Sequence, residues 1–274
     1  MNTRKYCHFL IPFLVWSLSA VTSAQTRDQP ITIGLFGDTS YSGRERELLP
    51  ELMAEMDSED LAFVIHDGDI KSGGSVCSDE VFLDILGVFK ASRHPLIYVP
   101  GDNEWTDCHR RSNGSYDPLE RLTKLRTLFF PDDNTLGQRQ FELTRQSQDP
   151  AFARARARAI QAIGLMVTIQ ANPDFEAAAA GKAHPGYKDF LNQLRKETQA
   201  FAGQVVLVHG DSHQQQINQP LRDPITQEPI ANFTRVETYG SPWMGWVKTT
   251  VDAKDPKVFR FEARPFRATP LPAN

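Results

Sequence analysis

Short apolar runs alternate with amphipathic segments along most of this chain. Five runs are rich in Val, Ile and Leu without strict alternation, as expected of strands covered on both faces. They are ITIGLF (31–36), LAFVIH (61–66), PLIYVP (95–100), LMVTIQ (165–170) and QVVLVH (204–209). Helical patterns cover 44–56, 78–91, 117–130 and 186–201. Strands that alternate with helices predict an α/β fold with a largely parallel sheet.

The pattern changes after His213, where β-rich segments are joined by short turns. These segments lie at 230–240, 246–252 and 257–264, and they predict a C-terminal antiparallel meander. The ARARARA stretch at 153–159 predicts a solvated helix. There is no internal repeat and no Gly/Ser linker, so residues 25–274 are expected to form a single domain.

Residues 1–24 have the layout of a cleavable signal peptide. Arg4 and Lys5 precede a short apolar core, and small residues follow at 22–24. We therefore expect a secreted or periplasmic protein with no membrane segment after signal removal. The formal net charge of −4 argues against a nucleic-acid surface, which needs a basic face.

The dipeptide Gly-Asp occurs four times, each time just past the end of a predicted strand. At that edge of an open α/β sheet ligands bind, and carboxylates gathered there repel unless a cation neutralises them. The pattern predicts a metal site with these candidate ligands: Asp38, Asp69, Asp102, Asp211 and the nearby His213. The alternative is a set of independent turn or helix-capping aspartates. Oxygen ligands with one imidazole favour Mn, Mg, Ca or Fe over Zn.

The order of these motifs resembles that of the calcineurin-like metallophosphoesterase superfamily, which includes purple acid phosphatases. The family pattern runs Asp-x-His, Gly-Asp, Gly-Asn-His-Asp/Glu, a lone His and Gly-His-x-His. Here FGDTSY, DGDIKSGG, PGDNEW, IQANPD and HGDSH follow in that order. The resemblance implies a two-sheet α/β/β/α sandwich with two divalent ions bridged by Asp69. Asp38 and His213 would hold one ion, and Asp102 and Asp211 would hold the other.

The chain departs from the family at several positions. Asn103 stands where the family has its general-acid His, and Gln170 or Ala171 stands where it has the lone His. Glu104 matches the family's acid, so Asn103 and Glu104 are the candidate catalytic residues. The stretch before the fourth predicted strand is short, which implies one or two central strands fewer than the family has.

Other residues admit two interpretations. Lys71 and Tyr41 are candidate substrate-binding residues, or else a surface cation and a packing residue. His66 and His209 end buried strands, which favours a role in the core. Three tryptophans either wall the rim of the site or pack in the core: Trp105, Trp243 and Trp246.

Cys77 and Cys108 each follow a Gly-Asp loop. In an oxidising compartment this pair is expected to form a disulfide. Metal binding by the two thiols is the weaker alternative, because neither lies in a CxxC motif.

These features predict a secreted or periplasmic metal-dependent phosphoesterase that hydrolyses a small-molecule phosphate mono- or diester. The alternative is a non-catalytic module on the same fold that binds metal or a phosphorylated ligand. No interface stripe in the sequence points to an oligomeric state.

Overall fold

Two β-sheets packed face to face form the centre of the protein. The computed structural model describes residues 29–144, 162–182 and 184–266. Within them, one sheet has five strands in the order β3-β2-β1-β8-β9, and the other has four in the order β4-β5-β7-β6. The apolar layer between the sheets contains Ile33, Leu35 and Val247 from the first and Val206 and Val208 from the second. Helices cover the outer faces, which gives the α/β/β/α sandwich expected from the sequence.

The elements have the following bounds. The strands are β1 Ile31–Phe36, β2 Phe63–His66, β3 Leu96–Tyr98, β4 Gly164–Thr168, β5 Gln204–His209, β6 Gln216–Asn218, β7 Phe233–Glu237, β8 Gly245–Val251 and β9 Phe259–Pro265. The helices are α1 Gly43–Asp57, α2 Asp79–Ala91, α3 Pro118–Phe129, α4 Phe175–Ala179 and α5 Pro185–Ala200. Short 3-10 turns lie at Thr106–His109 and Arg111–Asn113.

Each of the five apolar runs overlaps a strand, and each of the four helical patterns overlaps a helix. Strands β1, β2 and β3 run parallel, as do β4, β5 and β7. Asp117 caps α3 by accepting from the Leu119 and Glu120 amides, which explains why that helix begins where it does. The parallel order brings the carboxyl ends of both sets of strands to one edge of the sandwich.

The C-terminal segments differ from the predicted meander in one strand. Strands β8 and β9 pair antiparallel as expected, and β8 adds antiparallel to β1. However, β7 pairs parallel with β5 in the other sheet and antiparallel with β6, so the chain crosses between sheets after Glu237. Between α3 and β4, the described residues carry only isolated bridges, at Leu96–Leu136 and Asn134–Glu142.

Some predicted features lie outside the described residues, namely the signal peptide and the helix around 153–159. None of the helices that the structure describes is long and apolar enough to cross a membrane.

A disulfide joins the loops that follow β2 and β3. Cys77 and Cys108 are bonded, with their Cα atoms 5.7 Å apart, and both are fully buried. The sequence prediction of this pair is confirmed. The bond constrains two segments that carry candidate site residues, because Asp69 precedes one cysteine and Asn103 the other.

We expect the double variant Cys77→Ser/Cys108→Ser to lose about 2–4 kcal/mol in its free energy of unfolding, since the bond closes a loop with a sequence separation of 31 residues. Guanidinium unfolding of oxidised wild type and the variant measures this difference. An unchanged unfolding midpoint would contradict a stabilising role for the bond.

Candidate metal centre

The candidate residues lie in turns at the carboxyl ends of the strands. Four of them, together with the neighbouring Ser40, adopt left-handed backbone conformations with φ between 46° and 78°: Asp38, Asp69, Asp211 and His213. Non-glycine residues rarely adopt such values, and in proteins they cluster at functional sites. Asp38 and Asp69 from one sheet and His213 from the other lie together at this edge.

Asp38 and Asp69 form a buried carboxylate pair at this point. They are 0% and 3% exposed. The Tyr41 hydroxyl lies 3.1 Å from Asp38 Oδ1 and 3.0 Å from Asp69 Oδ2, so one proton donor serves both acids. Tyr41, a candidate substrate-binding residue in the sequence, therefore contacts both of the acids that the sequence assigned to metal.

Two side-chain amides donate hydrogen bonds to Asp69. Asn103 Nδ2 donates to Asp69 Oδ2 at 2.7 Å, and Gln170 Nε2 donates to the same oxygen at 2.9 Å. The Asn103 backbone N–H also donates to Asp69 Oδ1 at 3.1 Å. Gln170, which follows β4 where the resemblance has a lone His, was not among the predicted ligands.

His213, which follows a strand of the other sheet, lies close to Asp38. Its Nδ1 lies 2.7 Å from the Ser241 carbonyl oxygen, so this nitrogen carries the hydrogen. In the neutral ring Nε2 is then an acceptor, and it lies 3.7 Å from Asp38 Oδ1. A backbone carbonyl on the far nitrogen is the usual way in which proteins orient a metal-binding histidine.

Two glycines let the backbone close around the acids. A side chain on Gly101 would collide with the Asp69 carboxylate, and one on Gly210 would collide with that of Asp38. The next residue, Asp211, donates its backbone N–H to Asp38 Oδ2 at 2.8 Å. The Gly-Asp dipeptides thus place both a carboxylate and a close backbone approach at the sheet edge.

Burial makes ionisation of the pair unfavourable. It raises the pKa of Asp38 to about 6, against the lowering effect of the Asp211 N–H and of His213. It raises the pKa of Asp69 to about 10, helped by the negative charges of Glu104, Asp38 and Asp102. Burial and the two acids also raise the pKa of Tyr41, which keeps its hydroxyl protonated as a donor.

Three of the candidate ligands face one another, because Asp38 is linked to Asp69 through the Tyr41 hydroxyl and lies 3.7 Å from His213. In the part of the chain that the structure describes, no three His, Cys, Asp or Glu side chains stand close enough to form a metal-ligand cluster. Nevertheless, Asp38 and Asp69 receive hydrogen bonds from neutral donors, and the acceptor nitrogen of His213 faces a carboxylate oxygen. A cation between these groups would neutralise both acids and bind the acceptor nitrogen of the imidazole.

The residues expected to hold a second ion are placed differently. The Asp102 side chain is exposed at the rim, where its backbone carbonyl instead accepts from the turn at Trp105 and Asp107. Asp211 is also exposed and accepts the Asn172 N–H at 2.9 Å. Asn103, rather than Asp102, faces Asp69 through both its backbone N–H and its side-chain amide.

Glu104 and Lys71 hold the loops rather than face a substrate. Glu104 is fully buried, and its Oε1 accepts from the Asp69 N–H, the Gly101 N–H and the Tyr98 hydroxyl. Lys71 is 2% exposed, and its Nζ donates to the carbonyls of Asn103 and Ser72. Their predicted roles as leaving-group acid and phosphate contact do not match these positions.

A buried acid that the sequence analysis missed supports the His213 loop. Glu237, at the end of β7, accepts from the Ser212 hydroxyl, and from the Gln214 N–H at 3.2 Å. Its only sequence signal is an acid at the end of a predicted strand. Because Ser212 and Gln214 flank His213, Glu237 fixes the turn that presents the imidazole.

The remaining aromatic candidates divide between core and surface. His66 and His209 are fully buried, and burial lowers the pKa of His66 to about 3 and also lowers that of His209. Trp246 is a core residue, whereas Trp243 is 72% exposed beside the candidate centre.

The comparison with solved structures identifies the fold. A dimetal phosphatase from Danio rerio matches with a TM-score of 0.53 at 11% identity, covering 86% of this chain and 96% of that one. The chain has the calcineurin-like metallophosphoesterase fold. At this identity the likeness shows the fold alone. No family model and no curated protein matches the sequence.

Two further structures are similar over most of this metallophosphoesterase fold. GAP50, the anchor in the inner membrane complex of Plasmodium, has a TM-score of 0.47 at 11% identity and covers 88% of this chain and 90% of that one. The 5'-nucleotidase from Candida albicans has a TM-score of 0.49 at 12% identity, with 85% of this chain matching 50% of that one.

We expect the metal-free protein to lose stability as pH rises. Asp38 and Asp69 have raised pKa values in the folded state, so their protonated forms contribute fully to the free energy of unfolding below pH 3.8. It is lost as pH rises through about 6 and then about 10. Thermal unfolding in EDTA should show Tm falling by at least about 5 °C between pH 5 and pH 9. A Tm that is flat or rises over this range would contradict the buried pair.

Proposed function

We propose that this chain is a metal-dependent phosphoesterase that binds one divalent cation between Asp38, Asp69 and His213. The observation that supports this most is the His213 imidazole, whose acceptor nitrogen faces a buried carboxylate while its other nitrogen donates to a backbone carbonyl. A cation between this nitrogen and the carboxylate oxygen would be held by both. The fold supports the same interpretation, because these residues lie at the sheet edge where ligands bind in α/β proteins.

The residues around the pair have distinct roles in this proposal. The cation would supply Lewis-acid stabilisation of the charge on a phosphoryl oxygen. Asp38 and Asp69 would hold it through carboxylate oxygens, and the protonated Tyr41 hydroxyl keeps a donor beside both acids. Asp102 and Asp211, which were expected to hold a second ion, lie exposed, and Asn103 and Gln170 place neutral amides on Asp69, so we propose one tightly held ion rather than two.

A second candidate function is a non-catalytic module that binds metal or a phosphorylated ligand. The observation that favours it is Asn103, which stands where the resemblance has a general acid. Its amide donates to Asp69 and has no titratable proton to give to a leaving group. Tight binding of inorganic phosphate with Mn²⁺, without turnover of any ester, would decide for this function.

The proposed cellular location is the periplasm or the outside of the cell. The support is the disulfide between Cys77 and Cys108, a bond typical of oxidising compartments, together with the signal-like residues 1–24.

We expect Asp69→Asn to weaken Mn²⁺ binding by at least about 100-fold, since even supporting residues around metal ligands account for 10–100-fold. Asp102→Asn is the matched control, because this exposed acid lies in the loop that also carries Asn103. It should change affinity by less than about fivefold, as exposed charges contribute little. Calorimetric titration measures both, with circular dichroism as the check on folding.

Hydrolysis of p-nitrophenyl phosphate and of its diester tests the activity. Wild type with Mn²⁺ should turn over at least one of them, and Asp69→Asn should not. Purified wild type that holds no metal, binds no added Mn²⁺ and hydrolyses neither ester would refute the proposed function.

A further inference from the structure

The Tyr41 hydroxyl faces more acceptors than it can serve. Asp38 Oδ1 lies 3.1 Å from it and Asp69 Oδ2 lies 3.0 Å from it, but a hydroxyl has only one hydrogen to donate. Asn103 Nδ2 lies 3.0 Å from the same oxygen as a donor, which directs the hydrogen of Tyr41 away from the amide. The hydroxyl is therefore a donor held between the two acids.

Two contacts fix Tyr41 in this position. Its ring packs edge-on against the His213 ring, with the centroids 5.1 Å apart. Its backbone N–H donates to Glu45 Oε2 at 2.9 Å, and Glu45 Oε1 accepts from the Ser241 hydroxyl at 2.7 Å. The Ser241 carbonyl also orients His213. One buried carboxylate, that of Glu45, thus sets the hydroxyl and the imidazole relative to each other.

A phosphoryl group bound at the proposed cation would lie beside this hydroxyl. Oxygens that bind one small divalent cation at about 2.1 Å lie about 3 Å apart. Tyr41 Oη is at a similar distance from one oxygen of each acid. A phosphoryl oxygen on the cation and the Tyr41 hydroxyl would therefore be neighbours of the same two carboxylates. The Tyr41 side chain is partly exposed, so a substrate can reach it.

Binding of the cation would change the acceptor to which Tyr41 donates. Hydrogen bonds are strongest to acceptors that carry charge, and the cation would neutralise the charge of Asp38 and Asp69. The phosphoryl oxygens carry negative charge, which is spread over them in the transition state. A fixed donor beside such charge stabilises the transition state without having to reorganise.

We propose that Tyr41 is a catalytic residue, whose hydroxyl donates a hydrogen bond to a phosphoryl oxygen of the substrate in the transition state. This inference rests on the proposed phosphoesterase function. Tyr41 keeps its hydrogen throughout. Water's oxygen bonds to phosphorus and releases a proton to solvent, while the bond from phosphorus to the ester oxygen breaks, and that oxygen keeps the electron pair and takes up a proton from solvent.

Binding of vanadate and of inorganic phosphate to the Mn²⁺-saturated protein tests Tyr41 without turnover. Vanadate can adopt the five-coordinate geometry of the transition state, whereas phosphate resembles the product. Tyr41→Phe keeps the ring that packs on His213. It should weaken vanadate binding at least about 10-fold and phosphate binding less than about threefold, with Mn²⁺ affinity within about fivefold of wild type. Calorimetry measures all three.

The kinetics of ester hydrolysis at saturating Mn²⁺ provide the second measurement. Tyr41→Phe should lower kcat about 100-fold and leave KM within about threefold, because a fixed donor acts mainly on the transition state. Tyr116→Phe is the matched control, since it removes a hydroxyl from a ring that stacks on Arg121. It should leave kcat and vanadate affinity unchanged.

The outcomes separate this inference from the proposed function. Equal losses of affinity for Mn²⁺, phosphate and vanadate in Tyr41→Phe would mean that the hydroxyl only orients metal ligands, and would refute the inference. Wild-type kcat and vanadate affinity in Tyr41→Phe would also refute it, while the phosphoesterase function stands. If wild type binds neither Mn²⁺ nor either anion and hydrolyses no ester, the proposed function is refuted and the inference falls with it.

Discussion

The structure depends on two carboxylates held inside the protein at the meeting edge of two sheets. Asp38 and Asp69 are removed from water and receive hydrogen bonds from a tyrosine hydroxyl, two side-chain amides and backbone N–H groups. Each neutral donor offsets part of the cost of burial, but none supplies charge. A divalent cation would offset that cost, which is the physical basis of the proposed binding site.

The surrounding structure keeps the pair in place. Glu104 ties together the backbones that follow β2 and β3, the Cys77–Cys108 bond constrains the same loops, and Glu237 fixes the turn around His213. These supports come from both sheets, so the centre exists only when the sandwich is assembled. Small residues such as Gly101 and Gly210 are required because the carboxylates occupy the space of a side chain.

Much of this arrangement was predictable, because apolar runs identify buried strands and residues after parallel strands share one edge. The shared edge of Asp38, Asp69 and His213 followed in this way, whereas the disulfide followed from a pair of cysteines expected in an oxidising compartment. Side-chain direction was not predictable, since the residue pattern of the loop does not decide whether Asp102 or Asn103 faces inward. The pairing of β7 with β5 was not predictable either, because the sequence of a short strand indicates which residues are buried but not which strand it pairs with. Gln170 was missed as a site residue because an amide carries no charge signal.

The proposed function requires a cation between Asp38, Asp69 and His213. Anomalous diffraction from crystals grown with Mn²⁺ tests this requirement, because manganese is located independently of any assay. We expect a peak within ligand distance of a carboxylate oxygen of each acid and of His213 Nε2. Anomalous peaks only at other positions, with Tyr41 still donating to both acids, would contradict it.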